Sequence, residues 1–248
     1  MKKIKQIYRS NYEGENIVTE MTHQDNKWDI VKEFIPNSVI NNQISNRAVV
    51  IGNGPTRKLF DLGTIFNHFG GLLASRKLQT YGCNALYRDY EPDFLVVTGP
   101  SDGIVKEVAD SGYCDEHIVY ADASDIQMHP GKFYLIPQDP CWNSGSLAAY
   151  LAAFDGHTTI FMIGYDHQDT PGCNYNVYAG TTNYQNATGA QADPAFWEKS
   201  MAHVLDMYPD VDFVRVMPTA TATVPESWKY KTNFRQISFR DFVIEADL

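Results

Sequence analysis

Residues 48–56, with the sequence AVVIGNGPT, constrain the fold more than any other segment of this chain. Four apolar residues, three of them β-branched, predict a buried strand. Gly52, Asn53 and Gly54 end that strand, and Thr56 can begin a helix. A glycine turn lets the backbone approach a ligand, and a helix start offers N–H groups to an anion. We therefore predict a ligand-binding turn at Gly52, Asn53 and Gly54; the alternative is an ordinary connection between two elements.

Strands and helices alternate along the rest of the chain, which predicts an α/β protein. Short apolar runs such as FLVV and TIFMI are typical of strands buried in a parallel sheet. We predict a Rossmann-like open, mostly parallel sheet with helices on both faces. The predicted strands lie within residues 48–51, 78–86, 94–97, 117–120, 132–136, 158–164 and 212–216, and the predicted helices end near residues 110, 154 and 207.

The polar N-terminal part is predicted to differ from the rest of the chain. Residues 1–45 contain one short amphipathic piece, residues 28–35, which stops at Pro36. This is too little apolar surface to fold alone, so we predict an irregular extension that packs on the main domain. Residues 46–248 are predicted to form a single nucleotide-binding domain.

Net charge and cysteine spacing limit the partners and the compartment. A net charge of −10 disfavours broad contact with nucleic acid, without excluding it, and also disfavours an anionic membrane surface. The four cysteines lack the spacing of a metal site, which is typical of a reducing compartment. No apolar run is long enough to span a membrane, and no secretion signal follows the basic start. We therefore expect a cytoplasmic protein and leave a homo-oligomer open.

Other polar residues follow the predicted strands, where ligands bind in open α/β sheets. Asn84 follows the second strand, and Thr98 and Gly99 follow the third. Ser144 and Gly145 open an Ala-rich helix and form a second candidate anion site, with an ordinary helix cap as the alternative.

A carboxylate-rich segment and a Tyr-rich loop follow the strand at residues 158–164. Asp166, His167 and Asp169 could hold a divalent metal, or Asp166 could cap the strand end or hold a ribose hydroxyl. The loop of residues 167–193 is predicted to be a binding lid, with Tyr175 and Tyr178 as contacts.

Several common motifs are missing from the sequence. There is no Walker A motif, no GxSxG elbow and no HExxH motif, and Arg57 stands where a dinucleotide fingerprint needs its third glycine. These absences weigh against a P-loop enzyme, an α/β-hydrolase and a dinucleotide site.

Four motifs in order carry a resemblance to a known family: residues 52–55, 83–84, 144–145 and 164–166. In this order they resemble those of bacterial lipooligosaccharide sialyltransferases, and related motifs occur in the motility-accessory-factor and pterin pyrophosphokinase superfamily. The resemblance covers residues 47–216. The whole chain also resembles proteins of tailed marine phages, which would place it in the host cytoplasm.

The sialyltransferase resemblance implies a Rossmann-like transferase that binds a nucleotide sugar, of CMP or UDP type, and requires no metal cofactor. It implies that Asn53, Asn84, Ser144 and Gly145 contact the nucleotide. A hydroxyl compound would be the acceptor. The family's catalytic histidine has no counterpart here, since residues 192–196 read ADPAF.

The missing histidine leaves the base to be chosen from other residues. We take Asp166, His167 and Asp169 as candidate bases, and Asn53, Gly54, Tyr175 and Tyr178 as candidate donors to the leaving phosphate. The alternatives are a Mg²⁺-dependent nucleotidyl or pyrophosphokinase-type enzyme using Asp166 and Asp169, and a non-catalytic nucleotide-binding phage protein.

Overall fold

One mixed sheet organises the chain in a computed structural model that describes residues 2–9, 15–25, 27–36, 45–69, 78–99, 103–138, 140–166, 176–184 and 194–248. In these residues the sheet has eleven strands, in the order β11-β10-β9-β4-β5-β6-β7-β8-β1-β2-β3. The strands are β1 Lys2–Arg9, β2 Glu15–Gln24, β3 Lys27–Pro36, β4 Arg47–Ile51, β5 Gln79–Cys83, β6 Phe94–Val96, β7 Ile118–Ala121, β8 Tyr134–Leu135, β9 Thr159–Ile163, β10 Asp212–Met217 and β11 Phe234–Ser238.

Helices lie between several of the strands and pack on both faces of the parallel part of the sheet. The described helices are α1 Gly63–Phe69, α2 Gly103–Asp110, α3 Tyr113–Glu116, α4 Ala123–Met128, α5 Ser144–Phe154, α6 Pro194–Met207 and α7 Phe239–Ala246. Two 3₁₀ turns follow these strands: Pro55–Leu59 comes three residues after β4, and Asn84–Arg88 comes directly after β5. The predicted helix start at Thr56 is therefore a 3₁₀ turn, and the α-helix begins only at Gly63.

Strands β4 to β11 all run parallel, which confirms the predicted open α/β sheet. Their apolar runs are buried because helices pack on both sides of them. One core cluster contains Val49, Ile51 and Phe161, and the other contains Ala48, Val50 and Met162. Neighbouring residues of β4 thus alternate between the two cores, as the period of a strand requires.

The prediction of an irregular N-terminal extension is wrong, because this segment forms three strands. β1 pairs parallel with β8 through Ile7 and Tyr8, and β2 and β3 continue antiparallel from β1. Its polar composition misled the prediction, because ladder hydrogen bonds satisfy the backbone whatever the side chains are. The piece ending at Pro36 is therefore a sheet strand, and the N-terminal strands extend the sheet beyond β8.

The chain changes direction across the sheet between β4 and β9. From β4 it proceeds through β5, β6, β7 and β8 on one side, and it then crosses to β9, β10 and β11 on the other. After β4, Leu62 and Ile65 pack on one face, whereas after β9 the helix α6 packs Met201 and Val204 on the opposite face. This divergence is a topological switch point, and open α/β sheets bind ligands in the crevice outside it.

No helix in the described part of the chain is both long and apolar enough to cross a membrane.

Candidate functional site

The turns after β4 and β9 are in direct contact at the switch point. The Gly52 N–H donates to the Ile163 carbonyl at 2.8 Å, and the Gly54 N–H donates to the Gly164 carbonyl at 2.9 Å. A Cβ atom at Gly52 would lie 2.7 Å from the Gly164 oxygen, and Gly164 itself has a φ of +75°. Both positions therefore require glycine, for close approach and for backbone conformation respectively.

Asp166 lies against the 3₁₀ turn that follows β4. Its carboxylate accepts from the Thr56 backbone N–H at 3.0 Å and from the Thr56 hydroxyl at 2.5 Å. Burial raises the pKa of Asp166, while the Thr56 hydrogen bonds and the Arg215 charge act in the opposite direction. The turn that was predicted to bind an anion therefore binds the Asp166 carboxylate of the chain itself. Its Gly54 N–H is also engaged, because it donates to the Gly164 carbonyl.

The Asn53 side chain is held at both ends of its carboxamide. Its oxygen accepts from Arg57 Nη1 at 2.6 Å, and its nitrogen donates to the Cys83 carbonyl at 3.2 Å. Arg57 Nη1 also donates to the Gly52 carbonyl at 2.9 Å. These bonds join the end of β4 to the end of β5 and fix which amide atom faces which neighbour.

Arg57 also connects the β4 turn to the Tyr-containing loop. Its Nη2 donates to the Tyr178 hydroxyl at 2.7 Å, and that hydroxyl donates to Asp89 Oδ2 at 2.6 Å. The Val177 N–H adds a backbone bond to the Asn53 carbonyl at 2.8 Å. Burial raises the pKa of Tyr178 well above its ordinary value, so the hydroxyl keeps its proton and serves as a structural donor.

Residues 176–184, which we name the strap, form further hydrogen bonds with the 3₁₀ turn Asn84–Arg88 that follows β5. Arg88 donates to the Thr181 hydroxyl and the Thr182 carbonyl, and it forms a fork with Glu107. The Tyr184 hydroxyl accepts from the Ala85 N–H at 3.3 Å. Hydrogen bonds therefore hold the strap at the carboxyl ends of β4 and β5.

The remaining predicted contacts lie at the same edge of the sheet. The Asn84 side-chain oxygen accepts from the Thr98 N–H at 3.1 Å, and Asn84 has a φ of +49°. Asparagine adopts this left-handed conformation more readily than most residues do. Gly99 follows Thr98 and is partly exposed.

The start of α5 faces the ends of β5 and β9. Asn143 caps the helix by accepting from the Ser146 N–H, and the Tyr165 hydroxyl donates to the Gly145 carbonyl at 2.6 Å. The Cys83 thiol donates to the Ile51 carbonyl at 3.7 Å, and burial raises its pKa to about 11 against smaller opposing effects of Arg57 and Ser144. A raised pKa favours the neutral thiol, which is a weaker nucleophile than the thiolate.

The structure brings most of the predicted site residues to the switch point, and it adds Arg57, Asp89 and Tyr165, which were not predicted as site residues and which hold the turns in place. Arg57 had a sequence signal at the third glycine position of the dinucleotide fingerprint, and Tyr165 had one in the motif at residues 164–166, whereas Asp89 had none. His167, Asp169 and Tyr175 lie outside the described residues.

In the described part of the chain, no three His, Cys, Asp or Glu residues form a group that could hold a metal ion. The predicted residues at this edge are Gly52, Asn53, Gly54, Asn84, Thr98, Gly99, Ser144, Gly145, Asp166 and Tyr178.

Comparisons of the chain with protein families, with curated proteins and with solved structures found no match, so the resemblances to sialyltransferases and to phage proteins stay predictions.

Proposed function

We propose that this protein is a glycosyltransferase that takes a sugar from a nucleotide-sugar donor at the β4–β9 switch point. The observation that carries the proposal is the divergence of the chain after these two strands, with a glycine turn on one side and the start of α5 on the other. Open α/β sheets bind nucleotides at such points. The four motifs of the sialyltransferase resemblance all fall on this edge, which supports the transferase class.

The nucleotide would lie between the Asn53 turn and the start of α5. Asn53 offers an amide donor to a phosphate, and Ser144 and Gly145 offer small, partly exposed groups at a helix start. Because the Gly54 N–H already donates to Gly164, the Asn53 side chain is the better donor to the leaving phosphate.

Of the three candidate bases, Asp166 is the one that lies within the residues that the structure describes. Glycosyl transfer needs a group that accepts the proton of the acceptor hydroxyl, and a carboxyl with a raised pKa holds that proton better at neutral pH. The two Thr56 bonds fix the carboxylate in one place. The acceptor oxygen would then attack the anomeric carbon, and the nucleotide phosphate would leave with the bond pair. His167 and Asp169 are the other candidates.

Thermal shift of the intact protein tests the nucleotide class. We expect stabilisation by CMP or UDP sugars without Mg²⁺, because a ligand that binds only the folded state raises the unfolding temperature. A shift that needs ATP and Mg²⁺ would favour the nucleotidyl alternative instead. No shift with CMP, UDP, GDP or ATP would reject the proposal.

Turnover measurements test the base. Once a donor is known, its hydrolysis or transfer is measured in Asp166→Asn and in His167→Ala. The assignment to Asp166 requires a large loss in the first variant, of about 10²–10⁴-fold. If both variants keep the rate of the unmodified enzyme, neither residue is the base.

A further inference from the structure

We propose that Arg57 is a positioning residue that sets the orientation of the Asn53 carboxamide. The inference builds on the proposed nucleotide site, in which Asn53 is the donor, and it names the residue that aims this donor. In this proposal Arg57 acts through Asn53, because its guanidinium donates to groups of the chain itself.

The burial of Arg57 shows how strongly the fold constrains it. Only 4% of its surface is exposed, although it carries a charge. Burying a guanidinium is unfavourable unless its N–H groups have partners. Arg57 has the Gly52 carbonyl, the Asn53 amide oxygen and the Tyr178 hydroxyl as acceptors, with Asp89 Oδ2 at 3.8 Å. The guanidinium is thus fixed by three chain segments.

A fixed guanidinium allows one orientation of the Asn53 amide. Arg57 is a donor only, so the atom that faces it at 2.6 Å must be the amide oxygen. A flipped amide would direct its NH₂ group at the guanidinium and its oxygen at the Cys83 carbonyl, which is an acceptor. Both contacts would be repulsive, so the flipped state is disfavoured.

This orientation leaves one polar group of Asn53 for a ligand. The amide nitrogen has two N–H bonds, and one of them donates to the Cys83 carbonyl. Within the described residues the second N–H has no acceptor. We infer that Arg57 directs this N–H toward an anionic oxygen of the ligand. A lysine would hold the amide less firmly, because its single ammonium cannot replace the two guanidinium nitrogens that reach Asn53 and Tyr178.

The first test needs no ligand. In ¹⁵N-labelled protein, the Asn53 side-chain NH₂ signals are assigned by their loss in Asn53→Ala and then compared in Arg57→Lys. We expect those signals to shift or broaden. As a matched control, Arg235→Lys disturbs another arginine fork, between Asp212 and Glu245, and should leave the Asn53 signals unchanged. Unchanged Asn53 signals in a folded Arg57→Lys variant would overturn the proposal.

The second test uses a double-mutant cycle with the nucleotide that gives the largest thermal shift. We expect Arg57→Lys to weaken binding about tenfold in the unmodified chain and to have little further effect in the Asn53→Ala background. An equal loss in both backgrounds would show that Arg57 does not act through Asn53, and would overturn the proposal. If no nucleotide binds, the proposed function fails, and the ligand-free signals still decide the role of Arg57.

Discussion

Asp166 combines two properties at the residue scale: its carboxylate is engaged by Thr56, and its pKa is raised by burial. A raised pKa in the folded state means that the protonated form is favoured by folding. The resulting stability is fully present below the unfolded pKa, near the ordinary value of 3.8, and is lost as pH rises through the folded pKa.

The corresponding prediction concerns Asp166→Asn, which removes the titration. The quantity compared is the free energy of unfolding of the unmodified protein minus that of the variant. We expect this difference to fall as the pH rises from 4 to 7. Urea unfolding of both proteins at each pH measures the difference. A difference that grows with pH would mean that the hydrogen bonds from Thr56 outweigh burial.

Two glycines at the site should respond oppositely to alanine. A Cβ at Gly54 would lie 2.0 Å from Asp166 Oδ2 and 2.6 Å from the Gly164 oxygen, so Gly54→Ala should lower the free energy of unfolding by about 1–3 kcal/mol. At Gly145 the nearest atom would be Asn143 Oδ1 at 3.4 Å. Gly145→Ala should therefore raise stability by about 0.5–1 kcal/mol, because alanine favours the helix.

The Gly145→Ala variant also probes the ligand, since an added methyl group would stand between α5 and a nucleotide. We expect it to weaken nucleotide binding despite its greater stability. Urea unfolding and a nucleotide titration on the same sample separate the two effects. Binding equal to that of the unmodified protein would place the ligand away from this helix start.

At the scale of elements, the strap depends on a few polar anchors. Tyr178→Phe removes the hydroxyl that joins Arg57 to Asp89, and it leaves a buried guanidinium without that acceptor. We expect a loss of about 1–3 kcal/mol in the free energy of unfolding. Amide hydrogen exchange should become faster across residues 176–184.

A second tyrosine in the strap provides the control for this change. Among the described residues, Tyr184→Phe removes one hydrogen bond, from the Ala85 N–H, which is the longer bond at 3.3 Å. Its effect on exchange should be smaller than that of Tyr178→Phe. If the two variants loosen the strap equally, the Arg57 network is not its main anchor.

The sequence predicted elements where a local signal was strong. Helix α6 has the predicted bounds, with Pro194 at its start, and the apolar runs at β4, β6 and β9 are strands. β1 to β3 were missed because their strand conformation comes from pairing with neighbours and their composition is polar. The contact of Thr56 with Asp166 joins residues 110 positions apart, and no local pattern encodes such a pairing.

At the scale of the whole molecule, the sheet has a short strand pairing between β8 and β1. The two strands pair through only Ile7 with Tyr134 and Tyr8 with Leu135, whereas β4 pairs with β9 over five residues. We expect amide hydrogen exchange in β1 to β3 to be faster than in β4, β9 and β10, because opening there breaks few bonds to the rest. Equal protection of all these strands would show that the sheet opens as one unit.

The pairing of β4 with β9 has a consequence for how the chain is made. β4 leaves the ribosome before its neighbour on the switch-point side exists, and Asp166 follows Thr56 by 110 residues. At ordinary translation rates this delay is roughly 5–20 s. For that time one edge of β4 has no partner, and exposed strand edges promote association between chains. Slow or paused synthesis between β5 and β9 should therefore lower the yield of folded protein.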